Sequence, residues 1–563
     1  MSITLADYLF TRLRQLGIRS IFGVPGDYNL HLLDFVQPSG LAWVGTCNEL
    51  NAAYAADGYA RINGLSALIT TFGVGELSAI NGIAGAYAEK APIIHIVGTP
   101  ARATQDSRAL VHHTLADGEF RRFADMASHV TVAQVDLQDP RLVPDQIDWV
   151  LREALIHSRP VYLEVPDDMV DVLVDASNLT SMISIPPCPV TGHEQVVLDR
   201  ILERIYAAKR PLILVDGESR CMDILGDIDK LVKTTNWPAW TTIFGKSLVN
   251  EQLPNVYGVY AGSLGDPQWK DYFDSADLIL NIGPHYSDTN SQNFTTIPNP
   301  AVTITFSNTY IQIDNDIYRD TYPSNILSEI LKTLNTSRIP RVTGPAKSAK
   351  EVNQFNPSGP ITQKDFYRIV NSLIREGDLV LTETGTAAHG GRNMVLPQNT
   401  RLFGPATWLS IGYMLPATLG ATLAQRERTN NPESRAILFI GDGSLQMTMQ
   451  EISTMIRENL NVVIIVINNE GYTIERAIHG RKQSYNDIAP WRHAQALGFF
   501  GADDKHAKQD YFSAWTWGEL DAALRDKRIQ NGTGLRMIEV FMGREDVQGA
   551  LLRLMEKQIA DEY

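Results

Sequence analysis

The sequence predicts an α/β protein made of three domains, each a parallel sheet doubly wound by helices. Short apolar runs alternate with helical stretches along the whole chain. Such runs, bounded by Gly, Pro or Asp, are typical of strands buried on both faces of a parallel sheet. Two stretches rich in Pro, Ser, Thr and Gly, near residues 177–192 and 334–360, predict linkers between the domains.

Each apolar run is followed by a helical stretch, so the elements predict repeated βα units. The first segment, residues 2–18, predicts an amphipathic helix. The predicted domains cover residues 1–180, 190–343 and 358–563, and the first and third share a similar rhythm of strands and helices. The runs that predict strands are SIFGV, SALITTFG, IIHIVG, VYLEVP, LILVDG, LILNIG, LVLTETG, AILFIGDG and VVIIVINNEG.

Charge and composition exclude several functions. The formal net charge is −15, with a pI of about 5.3, whereas nucleic-acid binding needs a basic surface to neutralise phosphates. An acidic protein must also build any site for an anionic substrate locally. The three cysteines, Cys47, Cys188 and Cys221, have no metal-ligand spacing and fit a reducing compartment. With no signal peptide or membrane span predicted, we expect a cytoplasmic location and no membrane partner.

A candidate magnesium and diphosphate site follows two neighbouring strands of the third domain. A Gly-Asp-Gly-Ser turn with Asp442 follows one strand, and Asn469 follows the next. Because ligands of parallel sheets bind beyond the carboxyl ends of the strands, these side chains are expected to converge. Their oxygens, with the carbonyl oxygen of Gly471, suit Mg²⁺. Gly443 allows close approach of the backbone, and Ser444 adds a donor for an anion.

An ordinary βα turn explains the Gly-Asp-Gly-Ser segment equally well when it is taken alone. The second strand and its Asn-Asn ending favour the ligand site. The pairing resembles the diphosphate-binding motif of thiamine-diphosphate enzymes.

Motifs along nearly the whole chain resemble the pyruvate decarboxylase and indolepyruvate decarboxylase family. They are SITLADYLF, FGVPGDYNL, ELNAAYAADGYAR, TTFGVGELSAINGIAGAYAE, VHHTLADG, GDGS and NNEGYTIER. The resemblance implies thiamine diphosphate and Mg²⁺ as cofactors, with a pyrimidine-binding first domain, a central domain of regulatory type and a diphosphate-binding third domain. It implies Asp442, Asn469 and Gly471 as metal ligands.

Glu49 opens a helix, where an acidic residue is commonly favoured by the helix dipole alone. The resemblance implies a different role for it. A glutamate in this setting contacts N1′ of the aminopyrimidine ring and promotes loss of the thiazolium C2 proton. The two halves of such a site come from different subunits, so the resemblance implies at least a homodimer, and a homotetramer is common in the family.

Four further residues are implied as catalytic. Taken alone, the two adjacent histidines and the GDYN turn indicate ordinary loop structure. By resemblance, Asp27 and His113 relay protons, His112 positions the substrate, and Glu475 serves decarboxylation and protonation of the enamine. The implied reaction is non-oxidative decarboxylation of a 2-oxo acid, with pyruvate foremost, to an aldehyde and CO₂ through a thiamine ylide. Further cofactor contacts are implied for Thr386, Ile411, Gly443, Ser444, Tyr472, Thr473 and Ile474.

Substrate size and regulation stay open at the sequence level. Thr289 and His389 replace aromatic residues of pyruvate-preferring relatives, so a larger aromatic or branched 2-oxo acid competes with pyruvate. Cys221 is either an inert thiol or part of substrate activation, and Lys90 replaces a histidine of that relay. The alternative functions are a thiamine-dependent carboligase, a nicotinamide enzyme and a non-catalytic paralogue.

Overall fold

Three sheets follow one another along the chain in this computed structural model, which describes residues 2–186, 189, 192–347 and 355–561. Parts of both predicted linkers lie outside the described residues, and so does Cys188. Each apolar run that predicts a strand forms one, and the segment at residues 2–18 contains the expected helix. The predicted α/β fold is therefore confirmed, with one difference in the central sheet.

The first sheet is parallel and has the strand order β3-β2-β4-β5-β7-β6, while β1 and β8 form a separate antiparallel pair. Its strands are β1 Ser2–Thr4, β2 Ser20–Gly23, β3 Ala42–Gly45, β4 Ser66–Thr71, β5 Ile93–Thr99, β6 Gln134–Asp136, β7 Val161–Pro166 and β8 Leu173–Asp175. Its helices are α1 Leu5–Gln15, α2 Leu30–Leu33, α3 Glu49–Asn63, α4 Val74–Ala88, α5 Arg102–Asp106, α6 Arg122–Ala127 and α7 Val143–His157.

The central sheet is mixed rather than wholly parallel, with the order β11-β10-β9-β12-β13-β14-β15. The last two strands run antiparallel because two-residue connections leave no room for a crossover helix. Its strands are β9 Pro211–Val215, β10 Ala239–Thr241, β11 Val256–Val259, β12 Leu278–Ile282, β13 Thr303–Ser307, β14 Tyr310–Ile313 and β15 Asp316–Tyr318. Its helices are α8 Glu194–Ala207, α9 Leu225–Thr235, α10 Pro267–Asp274 and α11 Pro323–Thr333.

The third sheet is parallel, with the order β17-β16-β18-β19-β21-β20. Its strands are β16 Leu379–Thr382, β17 Arg401–Phe403, β18 Arg435–Gly441, β19 Asn461–Asn468, β20 Tyr511–Ala514 and β21 Leu535–Phe541. Its helices are α12 Gln363–Val370, α13 Thr386–Gly391, α14 Met414–Thr429, α15 Asp442–Thr448, α16 Glu451–Arg457, α17 Thr473–Ile478, α18 Ala496–Phe499, α19 Asp504–Gln509, α20 Trp517–Arg525, α21 Lys527–Asn531 and α22 Ala550–Asp561.

The first and third sheets have the same topology, since their strands follow in the same spatial order. Their equivalent helices, α3 and α14, pack directly against each other. A Cβ atom at Gly58 of α3 would lie 2.1 Å from the carbonyl oxygen of Ala417, and one at Gly420 of α14 would lie 1.8 Å from that of Ala55. Only glycine permits so close a crossing. One apolar core joins the two sheets as a result.

Among the described residues, no helix is both long enough and apolar enough to cross a bilayer.

Candidate active site

Two neighbouring strands of the third sheet place Asp442 and Asn469 side by side. Strand β18 pairs with β19 in parallel, and Gly441 lies opposite Ile467 at the end of the ladder. Asp442 and Asn469 leave the sheet at this shared carboxyl edge, as expected for ligands of a parallel sheet. Both side chains are buried.

The Asp442 carboxylate is held by backbone donors. It accepts hydrogen bonds from the backbone N–H of Gly443 at 2.8 Å and of Gly471 at 3.3 Å. Burial raises its pKa to about 6. A buried carboxylate of this kind gains most from a nearby cation.

The Asn469 amide can be placed in two orientations. In one, its nitrogen donates to the carbonyl oxygen of Gly471 at 2.9 Å and to Asp442 Oδ1 at 3.2 Å. In the other, the amide oxygen takes that position and three oxygens converge. An octahedral Mg²⁺ with bonds of about 2.1 Å places adjacent ligands about 3 Å apart, so this second orientation fits the ion.

A cavity of about 290 Å³ lies at this edge of the third sheet. Its lining brings together most of the cofactor contacts implied by the sequence, while Asp442 lies buried at its edge. The sequence-predicted lining residues are Thr386, Ile411, Gly443, Ser444, Asn469, Gly471, Tyr472, Thr473, Ile474 and Glu475, and the structure adds Met447. Gly443 is required here, because a Cβ atom at that position would lie 2.6 Å from the Tyr472 ring.

The other predicted residues gather at the carboxyl edge of the first sheet. Glu49 begins α3 after β3, and Asn48 caps the helix by accepting from the Asn51 N–H at 2.8 Å. Glu49 Oε1 lies 3.0 Å from the position that a Cβ atom would take on Gly75. Burial raises the pKa of Glu49, which favours a carboxyl group able to share a proton.

Asp27, His112 and His113 form a tight group near the same edge. His112 Nε2 contacts the Asp27 carboxylate, and its ring stacks on Tyr28 with a centroid distance of 4.9 Å. His113 has a left-handed backbone with φ of 66°. Its carbonyl oxygen would lie 2.2 Å from a Cβ atom on Gly73, so only glycine fits there.

The Glu49 group lies outside the lining of the 290 Å³ cavity. Over the described residues, that lining comes entirely from positions 384–475, and no residue of the first sheet contributes to it. We refer to the two groups as half-sites, one at the carboxyl edge of each parallel sheet.

Two buried glutamates lie beside these half-sites, and sequence reasoning missed one of them, Glu451. Glu383 accepts hydrogen bonds from the backbone N–H groups of Thr384 and Met414, both at 2.8 Å, and burial raises its pKa to about 7. Glu451 accepts from the Cys47 N–H at 2.8 Å and from Asn51 Nδ2 at 3.0 Å. Glu383 directly follows strand β16 and opens the ETGT segment that ends at Thr386, a predicted cofactor contact. Glu451 carries no local sequence signal, because its contacts are about 400 residues away.

The positions linked to substrate size and regulation lie outside the lining of the cavity. Thr289 donates to the Ala406 carbonyl oxygen, which joins the central sheet to the third. His389 lies in α13, where burial lowers its pKa to about 3. Cys221 is a free thiol that donates to the Glu218 carbonyl oxygen at 3.0 Å, and burial raises its pKa. Lys90 Nζ lies 3.9 Å from Glu218 Oε2.

Three family models match the chain. They describe the N-terminal TPP binding domain, the central domain and the C-terminal TPP binding domain of a thiamine pyrophosphate enzyme, and they match residues 3–120, 198–331 and 384–539. Together with the two parallel sheets and the cavity, these matches define the class as thiamine pyrophosphate enzymes.

Curated relatives specify the family. A pyruvate decarboxylase of Aspergillus parasiticus is 51% identical over 100% of this chain and 98% of its own length. A pyruvate decarboxylase of Candida glabrata is 42% identical over 98% and 97%. Pyruvate decarboxylase isozyme 1 of Saccharomyces cerevisiae is 41% identical over 96% and 95%. The chain belongs to the pyruvate decarboxylase family of thiamine-diphosphate-dependent 2-oxo-acid decarboxylases.

Proposed function

We propose that the chain decarboxylates pyruvate to acetaldehyde and CO₂, using thiamine diphosphate held by Mg²⁺. The observation that carries this proposal is the convergence of oxygens from Asp442, Asn469 and Gly471 beside a cavity lined by the predicted cofactor contacts. Relatives that cover almost the whole chain and are named pyruvate decarboxylase support the choice of substrate.

Asp442, Asn469 and the Gly471 carbonyl would hold the metal ion, and water and the diphosphate would supply its remaining oxygens. Ser444 would donate to the diphosphate, while Ile411 and Ile474 would pack against the rest of the cofactor. When bound, thiamine diphosphate supplies the carbanion and the electron sink that decarboxylation needs.

Glu49 would share a proton with N1′ of the aminopyrimidine ring. Its raised pKa supports this role, because a partly buried carboxyl group keeps its proton closer to neutral pH. The site is poorly solvated, so a single hydrogen bond there has a larger electrostatic effect than in water.

Asp27, His112 and His113 would deliver the proton that replaces CO₂ and would assist release of the aldehyde, with Glu475 on the opposite wall. Imidazole and carboxyl groups in contact can pass a proton between them. The stacked ring of His112 and the constrained backbone of His113 keep both groups in place for this step.

The active unit would be at least a homodimer, because Glu49 and Asp442 belong to separate half-sites of each chain. We further propose a homotetramer and a cytoplasmic location. The free thiols of Cys47 and Cys221 support a reducing compartment.

The test begins with dialysis of the protein against a chelator of divalent metals. We expect an inactive apo form that regains activity only with Mg²⁺ and thiamine diphosphate together. Acetaldehyde rather than an acyloin should be the main product. Activity that survives without either component would contradict the cofactor assignment, and an acyloin as the main product would favour a carboligase.

The choice of substrate is tested by comparing kcat/KM for pyruvate, phenylpyruvate, indolepyruvate and 3-methyl-2-oxobutanoate. We expect the highest value for pyruvate. The relatives' names do not favour the larger oxo acids or the carboligase that the sequence left open. A higher value for one of the larger acids would contradict pyruvate as the substrate.

A further inference from the structure

Asp27, His112 and His113 each have one potential ligand atom close to those of the other two. One carboxylate oxygen and one ring nitrogen from each histidine all lie within 4.8 Å of one another. In the single chain, Asp27 and His112 are exposed and His113 is half-buried. The group lies apart from Asp442 and Asn469, which provide only oxygens.

His113 has a buried ring nitrogen, Nδ1, with no hydrogen-bond partner among the described residues. A buried polar atom left without a partner costs free energy, which a ligand can recover. The backbone cannot easily move to relieve this cost, because the His113 carbonyl oxygen lies against Gly73. The nitrogen is thus unsatisfied in a fixed position.

The other two side chains are also fixed. Tyr28 stacks on the His112 ring at an interplanar angle of 10° and packs edge-on to the His113 ring at a centroid distance of 6.0 Å. His112 Nε2 contacts Asp27. A metal ion would therefore meet a group that is already assembled, at little entropic cost from ordering the side chains.

The donor set identifies the kind of ion. Two imidazole nitrogens and one carboxylate oxygen suit Zn²⁺ and related late transition-metal ions, whereas Mg²⁺ prefers oxygens alone. Bonds of about 2.0–2.1 Å in a tetrahedral site place the ligand atoms about 3.3 Å apart, and the three ligand atoms here are at most 4.8 Å apart. Three protein ligands leave a fourth position open for water.

We propose that Asp27, His112 and His113 form a binding site for a Zn²⁺-class ion, and that the bound ion reversibly inhibits the enzyme. The site itself does not depend on the proposed function. The inhibition rests on it, because a coordinated imidazole or carboxylate is no longer available to deliver a proton. Binding involves no oxidation or reduction, because Zn²⁺ only replaces the protons and water that these groups hold.

The binding test uses holoenzyme saturated with Mg²⁺ and thiamine diphosphate, titrated with Zn²⁺ in competition with a chromophoric chelator. We expect one tight Zn²⁺ per chain. His112→Ala and His113→Ala should each lower the affinity at least tenfold, which corresponds to about 1.4 kcal/mol. His31→Ala is the matched control, because His31 also contacts carboxylates, Asp171 at 2.8 Å and Asp167 at 3.7 Å, and is not one of these three residues.

Two further measurements make the proposal falsifiable even if a variant folds poorly. Co²⁺ bound to the unmodified holoenzyme should give the intense visible absorption of a tetrahedral site with nitrogen ligands, and raising Mg²⁺ tenfold should not displace it. Loss of the ion on adding Mg²⁺, or a weak octahedral spectrum, would place it at Asp442 and overturn the proposal. Unchanged Zn²⁺ affinity in both histidine variants would do the same.

Inhibition is measured separately on the unmodified enzyme. The Zn²⁺ concentration that halves decarboxylation should match the dissociation constant, and a zinc-selective chelator should restore the rate. Tight binding at the three residues without any decarboxylase activity would refute the proposed function and leave the metal site standing. Decarboxylation unaffected by bound Zn²⁺ would refute the inhibition.

Discussion

Glu49 gives the most direct test of the proposed chemistry at the scale of one residue. Glu49→Gln keeps the size of the side chain but cannot exchange a proton with the cofactor ring. We expect a folded protein that binds thiamine diphosphate and loses at least about 99% of its kcat, the range typical of a lost acid–base group. Cofactor binding by calorimetry and turnover by acetaldehyde release are the measurements. Near-normal kcat would refute the role.

Glu383 predicts a pH dependence of stability. Its pKa is about 7 in the folded chain, against an ordinary value of 4.5. Between these two values the folded state binds more protons than the unfolded state, so stability falls as pH rises. Each such proton lowers the free energy of unfolding by up to about 1.4 kcal/mol for each unit that the pH rises. The contribution becomes constant above pH 7, where both states are ionised.

Glu383→Gln removes this titration while keeping a neutral side chain of similar shape. We expect the thermal midpoint of the unmodified protein to fall more steeply between pH 5 and 7 than that of the variant. Glu76, another buried carboxyl with a pKa of about 7, remains in both proteins and cancels in the comparison. If the thermal midpoints of the unmodified protein and of Glu383→Gln change in parallel between pH 5 and 7, the raised pKa of Glu383 is contradicted.

At the scale of single elements, helix α16 connects the two half-sites of one chain. It follows the Asp442 turn and α15 closely, and its first residue, Glu451, accepts hydrogen bonds from Cys47 just before α3 and from Asn51 in the first turn of α3. At its other end Arg457 donates to the Gly45 carbonyl oxygen at 2.7 Å. The third sheet thereby fixes the position from which Glu49 emerges.

Glu451 is therefore predicted to be a positioning residue. Glu451→Ala should lower kcat by about tenfold or more, because small displacements of a reacting group are costly, while KM for pyruvate changes little. Glu451→Gln keeps an acceptor for Cys47 and Asn51 and should recover most of the rate. Ser453→Ala on the same helix is the control. A loss of cofactor affinity without a change in kcat would contradict the prediction.

The sequence predicted elements well where their pattern was local. Buried parallel strands are continuous apolar runs, and each such run formed a strand. The short and partly buried edge strands Arg401–Phe403 and Asp316–Tyr318 were missed. The buried interior strand Leu535–Phe541 was missed too, because Arg536 and Glu539 interrupt its apolar run. The sequence pattern predicts one helix after the Gly-Asp-Gly-Ser turn, with Met449, Ile452, Met455 and Ile456 on one face. The segment forms two helices, α15 and α16. The first three of these side chains are buried, and Ile456 is half-buried.

At the scale of the whole molecule, the similar rhythm of the first and third blocks reflects one topology used twice. The equal strand order and the α3–α14 crossing relate the two sheets in space. The proximity of Asp442 and Asn469 was predictable, because they follow two strands that are consecutive in the sequence and paired in the sheet. Separate half-sites could be expected only from the family resemblance, because a single sequence does not give the distance between residues that lie hundreds of positions apart.

The half-sites predict complementation between inactive variants. If Glu49 of one chain acts with Asp442 of another, a heterodimer of Glu49→Gln and Asp442→Ala chains has one intact site and one doubly altered site. Sites built within a single chain would leave every heterodimer without an intact one. Random mixing of equal amounts should then restore about a quarter of the unmodified activity, since half the dimers are mixed and each has one working site of two.

The two variants are co-expressed with different affinity tags, and the mixed species is purified through both tags before assay with excess Mg²⁺ and thiamine diphosphate. Each variant alone serves as the control and should be nearly inactive. The doubly tagged species should reach between about a quarter and a half of the unmodified rate per chain pair, because each mixed dimer has one complete site of two and a tetramer can also combine two homodimers. A doubly tagged species no more active than the separate variants would show that Glu49 and Asp442 serve the same site from the same chain.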